Sequence, residues 1–460
     1  MNDYMSGRMN IRLHACMNTR MNARRVLLLT AAMLPLATSS RVDAQSTQTA
    51  PTSTTRIDRD MLLLPDAVFD GTVLRSGWAV HVRGSRIVAA GPAASLNVPA
   101  GVERVSLAGQ TLLPGLIDLH SHVLLHPYDE TSWNDQVLRE SQAVRVARAV
   151  NHARATLMAG FTTLRDLGTE GADYADVGIK EAIDQGIIPG PRLFITTRAI
   201  VATGSYGPKG FASEMRVPQG AEEADGVEGL TRAVRNQIGH GADWIKIYAD
   251  YRWGPRGEAR PTFGEDEWRA IVETARSSGR PVVAHASTAE GMRRAIVAGV
   301  ETIEHGDAGT AETWALMKAK DVALCPTLAA TESTSRYRGW KKGVDADPPA
   351  VTGKKAMLRA ALAAGVTICN GSDVGVFSHG DNALELELLV EYGMTPAAAL
   401  QAATSTNARL LHREAELGRI APGFVADLLA VRGNPVQNIS QLRAVRFVMK
   451  NGTVVRHDRD

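Results

Sequence analysis

Residues 114–122 read PGLIDLHSH, an apolar run that ends in His120-Ser121-His122. A β-strand projects side chains at i and i+2 to one side, so these two imidazoles can approach one cation. The pair follows an apolar run and the break Pro114-Gly115, which separates it from a solvated surface pair. The same form, an apolar strand with a polar end, recurs down the chain. The first candidate strand, Leu112–Leu119, is followed by Thr162–Asp166, Arg192–Thr197, Trp244–Ala249, Pro281–His285, Glu301–Glu304, Val322–Pro326 and Thr367–Asn370. Most are apolar on both faces, as parallel strands covered on both sides must be. Helical patterns fill the gaps. Glu265–Ser278 is one; Met394–Leu411 is another, where Thr395 can cap and Pro396 takes the first helical position. Eight strand–helix units predict an α/β fold, a (β/α)8 TIM barrel over residues 113–414. An open doubly wound sheet would want a glycine-rich nucleotide turn after its first strand, and that turn is missing.

The flanks read differently. Residues 59–112 hold short strand-like segments such as Trp78–Val82 and Arg86–Ala89, with Gly84 and Ser85 as a turn. The pattern suits a small antiparallel unit. It returns in Ala426–Val431 and Ala444–Val455, so residues 59–112 and 415–460 are expected to fold together as one small β-sandwich. Residues 45–58 are rich in Ser and Thr and read as a linker. Before them, Arg24 and Arg25 precede the apolar run Val26–Ala37, and Val42-Asp43-Ala44 resembles a cleavage site. Residues 1–44 therefore read as a signal peptide or leader, with Met21 as an alternative start. The run is too short to be a permanent span. Export to the periplasm or outside the cell is the expectation.

Composition excludes some classes. The 460 residues carry 51 Lys and Arg against 49 Asp and Glu. That balance offers no electrostatic footprint for nucleic acid. Of three cysteines, Cys16 lies in the leader. Cys325 and Cys369 each sit in an apolar run, and either two buried thiols or a disulfide is open; no CxxC marks a cysteine metal site.

The chemistry sits at the strand ends, where barrel enzymes keep catalytic groups. In Trp244-Ile245-Lys246-Ile247-Tyr248, alternation puts Trp244, Lys246 and Tyr248 on one face. The isoleucines then pack on helices and Lys246 points inward. A lone buried ammonium is costly. Either it reaches a carboxylate such as Asp373, or CO2 converts it to a carbamate that can bridge two metals. Further on come His285, then Glu304-His305-Gly306, then Asn370-Gly371-Ser372-Asp373. Four histidines, a lysine and an aspartate at strand ends form a donor set without thiolates, which suits zinc, with manganese, cobalt or iron as alternatives. Arg252 and Arg256, in the loop after the fourth strand, either bind an acidic substrate group or, as exposed loop arginines usually are, are solvated, and His126 and His240 read as surface histidines. The polar stretch Thr331–Lys355 reads as a lid.

In order, PGLIDLHSH, WIKIYAD, VVAHAS, TIEHG and NGSD resemble the amidohydrolase superfamily over about residues 60–455. Arg165-Asp166-Leu167-Gly168, Lys246 and His379-Gly380-Asp381-Asn382 resemble its imidazolonepropionase-like branch, with Xaa-Pro and Xaa-Arg dipeptidases. The resemblance implies two divalent metal ions. His120, His122 and Asp373 would hold one; carboxylated Lys246 would bridge to a second, completed by His285 and His305. It implies a shared hydroxide as nucleophile, with Asp373 as general base and acid and Tyr248 as a donor to the carbonyl. His379 would bind substrate or support the metal ligands, and Arg165 would pair with a substrate carboxylate or with Asp166 or Asp373. The expected activity is release of a C-terminal amino acid from a dipeptide or N-acyl amino acid, by a homo-oligomer. A cyclic-amide hydrolase or deaminase is the nearest rival, and a non-catalytic binding protein a remote one.

Overall fold

A computed structural model describes residues 60–458. The leader and linker read from residues 1–58 lie outside the described residues. No described helix is long and apolar enough to cross a membrane.

The two chain ends join one eight-stranded sheet. From the N-terminal side come Asp60–Phe69, Leu74–Ser76, Trp78–Arg83, Arg86–Pro92 and Glu103–Pro114; from the C-terminal side come Leu428–Arg432, Val445–Lys450 and Thr453–His457. The seam is the antiparallel pair of Glu103–Pro114 with Leu428–Arg432, in the register Leu113 to Leu429. Not every pair is antiparallel, as the sequence had implied: Asp60–Phe69 runs parallel to Glu103–Pro114. Alternating residues such as Leu63, Val80, Leu107, Leu428 and Phe447 bury together as one core.

The predicted first strand, Leu112–Leu119, is two strands. Glu103–Pro114 ends in the terminal sheet and Leu116–Ser121 begins the central one. Gly115 is the hinge between them. A Cβ there would fall 2.1 Å from Thr162 Oγ1, so no other residue fits.

The central strands pair in parallel. Leu116–Ser121 pairs Phe161–Asp166, which pairs Arg192–Ile195. The amide nitrogens of Asp243 and Trp244 donate to Ile195 O and lead into Ile245–Tyr248. Pairing continues through Val282–Ala286, Thr302–His305 and Ala323–Cys325. The eighth segment is held by two bridges, Leu324 with Ile368 and Ser121 with Val374, which return the pairing to its first strand. Helices such as Gln142–Met158, Glu265–Ser277 and Ala289–Ala298 alternate with the strands. Ile245 and Ile247 pack against the helical core, while Trp244 lies in a separate interior cluster with Ile117, Leu119, Val283, Cys325 and Cys369. Lys246 therefore points inward, as its alternation required. Thr395 caps Pro396–Gln401 through Ala398 N, and the following helix includes a π turn at Ala402–Thr406.

Two readings of the sequence become definite here. Of the two states left open for Cys325 and Cys369, the disulfide holds: they lie on adjacent interior segments with Cα atoms 4.9 Å apart. The segment Thr331–Lys355, read as a lid, runs from the helix Leu328–Tyr337 through residues 338–348 into the helix Pro349–Ala364, and Thr331 and Thr334 line the central cavity. Glu332, fully buried, ties it down through Arg336 and Lys342.

Candidate metal centre

The strand ends converge on a cavity of about 270 Å³. His120, His122 and Asp373 offer ligand atoms within 4.8 Å of one another. His122 Nε2 lies 3.4 Å and His120 Nε2 3.5 Å from the same Asp373 oxygen, Oδ1. His285 and His305 line the same cavity, with ring centroids 4.4 Å apart and His305 5.2 Å from His120.

The second ring nitrogens of His120, His122 and His305 show how these three rings are aimed. His120 Nδ1 donates to Glu304 Oε2 at 2.7 Å, and His122 Nδ1 to Gly168 O at 2.9 Å. His305 Nδ1 lies 2.7 Å from Thr327 Oγ1. With Nδ1 engaged, Nε2 keeps its lone pair toward the cavity, the arrangement typical of metal-binding histidines. Burial lowers the pKa of all four, His285 to about 3, so each is a neutral ligand at physiological pH. No proton then competes with a metal.

Lys246 is the sharpest test of fit. It is 1% exposed, and its Nζ has no hydrogen-bond partner among the described residues. An isolated buried ammonium costs several kcal/mol. Burial lowers its pKa to about 8, which makes the neutral amine accessible. A neutral amine is the form that reacts with CO2, and a carbamate there would satisfy both the nitrogen and two cations.

The backbone is bent to bring these groups in. His305 (φ 76°), Asp373 (φ 62°) and Thr327 (φ 51°) are left-handed without being glycine. Such residues cost roughly 1–3 kcal/mol each and gather at functional sites. Gly375 (φ 114°) shows how tight the turn after Asp373 is, since a Cβ would fall 2.7 Å from His122 O.

Arg165 and His379 sit elsewhere than expected. Arg165 is fully buried inside the ring of strands, over the Trp244 ring at 4.6 Å. Its guanidinium donates to Leu119 O, Thr302 Oγ1 and Glu304 Oε1, away from the cavity. It is therefore a support for the carboxylate behind His120, with no route to substrate. His379 stacks on His152 at 4.3 Å and reaches Leu125 O, behind the loop that follows His122. Its ring is turned from the cavity by that stack. His126 is buried too, not a surface histidine, and bonds Glu130 and Glu140.

Tyr248 does line the cavity, stacked on His285 at 4.5 Å. Burial pushes its phenol well above 10, so it stays a donor. Around it stand three aromatic walls the sequence did not mark, Tyr128, Tyr206 and Tyr251. Glu170 (φ 49°) joins them. Its Oε2 accepts from Trp133 Nε1 at 2.8 Å and from the Tyr206 hydroxyl. Arg252, one of the two arginines open to binding an acidic substrate group, lines the cavity mouth. Glu304 had a legible signal, a charge inside an apolar strand beside a ligand. Glu170 and the tyrosines had none, because Glu170, Tyr128 and Tyr206 come from loops and Tyr251 from a short strand, Asp250–Arg252, outside the central circuit.

The Amidohydrolase family profile matches residues 111–455. The chain belongs to the amidohydrolase family. Among its relatives, ochratoxinase of Aspergillus niger is 32% identical over 373 residues, 75% of each chain. An imidazolonepropionase of Chloroflexus aggregans is 24% identical over 78% of this chain and 84% of the relative. A crystal structure of a Xaa-Pro dipeptidase with methionine bound in its active site superposes with TM-score 0.77 and 30% identity, over 86% of this chain and 100% of that one. This amidohydrolase is accordingly an amide-bond hydrolase of the branch that holds the imidazolonepropionases and Xaa-Pro dipeptidases.

Proposed function

We propose that this amidohydrolase releases a C-terminal amino acid from a dipeptide or an N-acyl amino acid at a two-metal centre. The observation that carries the reading is the buried Lys246 Nζ, without a hydrogen-bond partner among the described residues, in a site with four cavity-lining histidines and Asp373. His120, His122 and Asp373 would hold one divalent cation and His285 and His305 the other, with carboxylated Lys246 between them. Zinc suits these ligands. When bound, such cations polarise a scissile carbonyl and ionise water near neutral pH. The parallel strand circuit is read as a (β/α)8 barrel, and the terminal sheet as the β-sandwich beside it.

The chain's own residues then divide the work. Asp373 takes the proton of the attacking water and passes it to the leaving nitrogen. The Tyr248 hydroxyl donates to the oxygen on which charge develops. Arg252 takes the carboxylate role expected of Arg165, because its guanidinium lines the cavity and forms no ion pair among the described residues. Tyr128, Tyr206 and Tyr251 give apolar area for the rest of the substrate. A small-molecule amino-acid product fits the methionine held by the Xaa-Pro dipeptidase. The disulfide accords with an oxidising compartment, so periplasmic or extracellular export belongs to this reading.

The test is a hydrolysis screen of the zinc-loaded mature protein. Dipeptides and N-acyl amino acids should be cut, with free amino acid as product. Turnover of cyclic imides or aminated heterocycles alone would overturn this reading in favour of an imidazolonepropionase-like activity.

A further inference from the structure

Lys354 stands outside the cavity, on the helix Pro349–Ala364, and is 4% exposed. Its ammonium is fully used. It donates to Pro326 O at 2.6 Å and to His305 O at 3.0 Å, and pairs with Asp307 Oδ1 at 2.7 Å. Two of these three acceptors belong to one corner of the metal centre. His305 carries a cavity imidazole, and Pro326 precedes Thr327, whose hydroxyl meets His305 Nδ1. Both His305 and Thr327 are left-handed, a conformation that side-chain residues leave unless held. The same lysine thus clamps the ends of two adjacent strands, one bearing the ligand and the other its orienting group. On the far side, Glu385 Oε2 accepts from Ala329 N at 2.7 Å and fixes the chain just past Thr327.

The three bonds satisfy all three N–H donors of the buried ammonium, and two of them fix the backbone next to His305 and Thr327. Three charge-assisted hydrogen bonds from one buried group are strong and directional. We propose that Lys354 is a positioning residue for the metal position formed by His285 and His305. It holds the His305 carbonyl and the Thr327 turn so that the imidazole presents Nε2 to the cavity. The inference rests on the two-metal reading.

The experiment is a zinc competition titration of the full chain against a chromophoric chelator, with cobalt absorption spectra of the same variants. In Lys354→Met, one of two sites should weaken about 10- to 100-fold, the usual cost of losing an outer-shell partner. The other site should keep its affinity, and the cobalt bands of the weakened site should shift. Thr327→Val should reproduce the loss, and the double variant should add little to it, since both act on one imidazole. Two sites of unchanged affinity in Lys354→Met would overturn the role. Equal weakening of both sites, together with a lower melting temperature of the metal-free protein, would overturn it too, as general destabilisation. Should Lys354→Met fail to fold, Lys354→Arg keeps the charge but moves the donors, and unchanged zinc affinity in that variant would be equally fatal. Fewer than two zinc ions in the wild-type protein would instead overturn the two-metal reading itself.

Discussion

Glu304 Oε2 accepts the Nδ1 proton of His120 at 2.7 Å, while its Oε1 accepts from Arg165 at 2.9 Å. All three side chains are essentially unexposed. The carboxylate therefore sets the tautomer and aim of His120, and Arg165 neutralises the carboxylate. Glu304→Gln keeps the shape but loses the anion. It should lower affinity for one metal roughly 10- to 100-fold, measured by zinc competition titration. Unchanged affinity would mean that Glu304 only fills space.

Asp373→Asn separates binding from chemistry. Two histidines and an amide oxygen remain for the metal, but the proton acceptor is gone. Metal content should stay close to wild type while kcat falls by about 10²- to 10⁴-fold. Near-normal turnover would remove Asp373 from the proton path.

CO2 should matter to assembly. Chelated protein supplied with zinc in bicarbonate buffer should recover activity faster and further than in CO2-free buffer, because the bridging anion proposed at Lys246 forms only with CO2. Lys246→Arg, which cannot form that carbamate, should recover nothing in either buffer. Equal recovery of the wild type in both buffers would leave the carbamate without support.

Arg252 should govern substrate binding more than rate. A hydrogen bond to a charged group is worth about 1.5–3 kcal/mol, so Arg252→Ala should raise KM roughly 10- to 100-fold for substrates with a free carboxylate. Their amides should be much less affected. A fall in kcat at constant KM would assign Arg252 to the chemical step instead.

Glu385 predicts a pH dependence of stability. Burial pushes its carboxyl from an ordinary 4.5 up to about 8 in the folded protein. With the folded pKa raised, its stabilising state is fully present below about pH 4.5 and is lost as pH rises through 8. Glu385→Gln removes that titration. The melting temperature of the variant should therefore gain on wild type between pH 4.5 and 8, in differential scanning fluorimetry. A constant difference across that range would show that Glu385 titrates normally.

The sequence by itself determined the candidate ligand set and its order. Short apolar strands ending in His120, His122, Lys246, His285, His305 and Asp373 are readable because strand alternation and apolar runs are local properties. Alternation alone turned Lys246 inward, and pattern alone joined the two chain ends. Only the tertiary structure decided what stands behind those ligands. Arg165 reaches Glu304 across 139 positions, Cys325 meets Cys369 across 44, and Lys354 meets His305 across 49. Such pairings depend on which strands lie side by side and where a helix crosses them, and no spacing in the chain encodes that. The same reason moved His379 behind the metal loop and brought Arg252 and the tyrosines to the cavity. The candidate site was therefore legible at its proposed ligands, while the side chains that support them and the cavity walls were decided by packing.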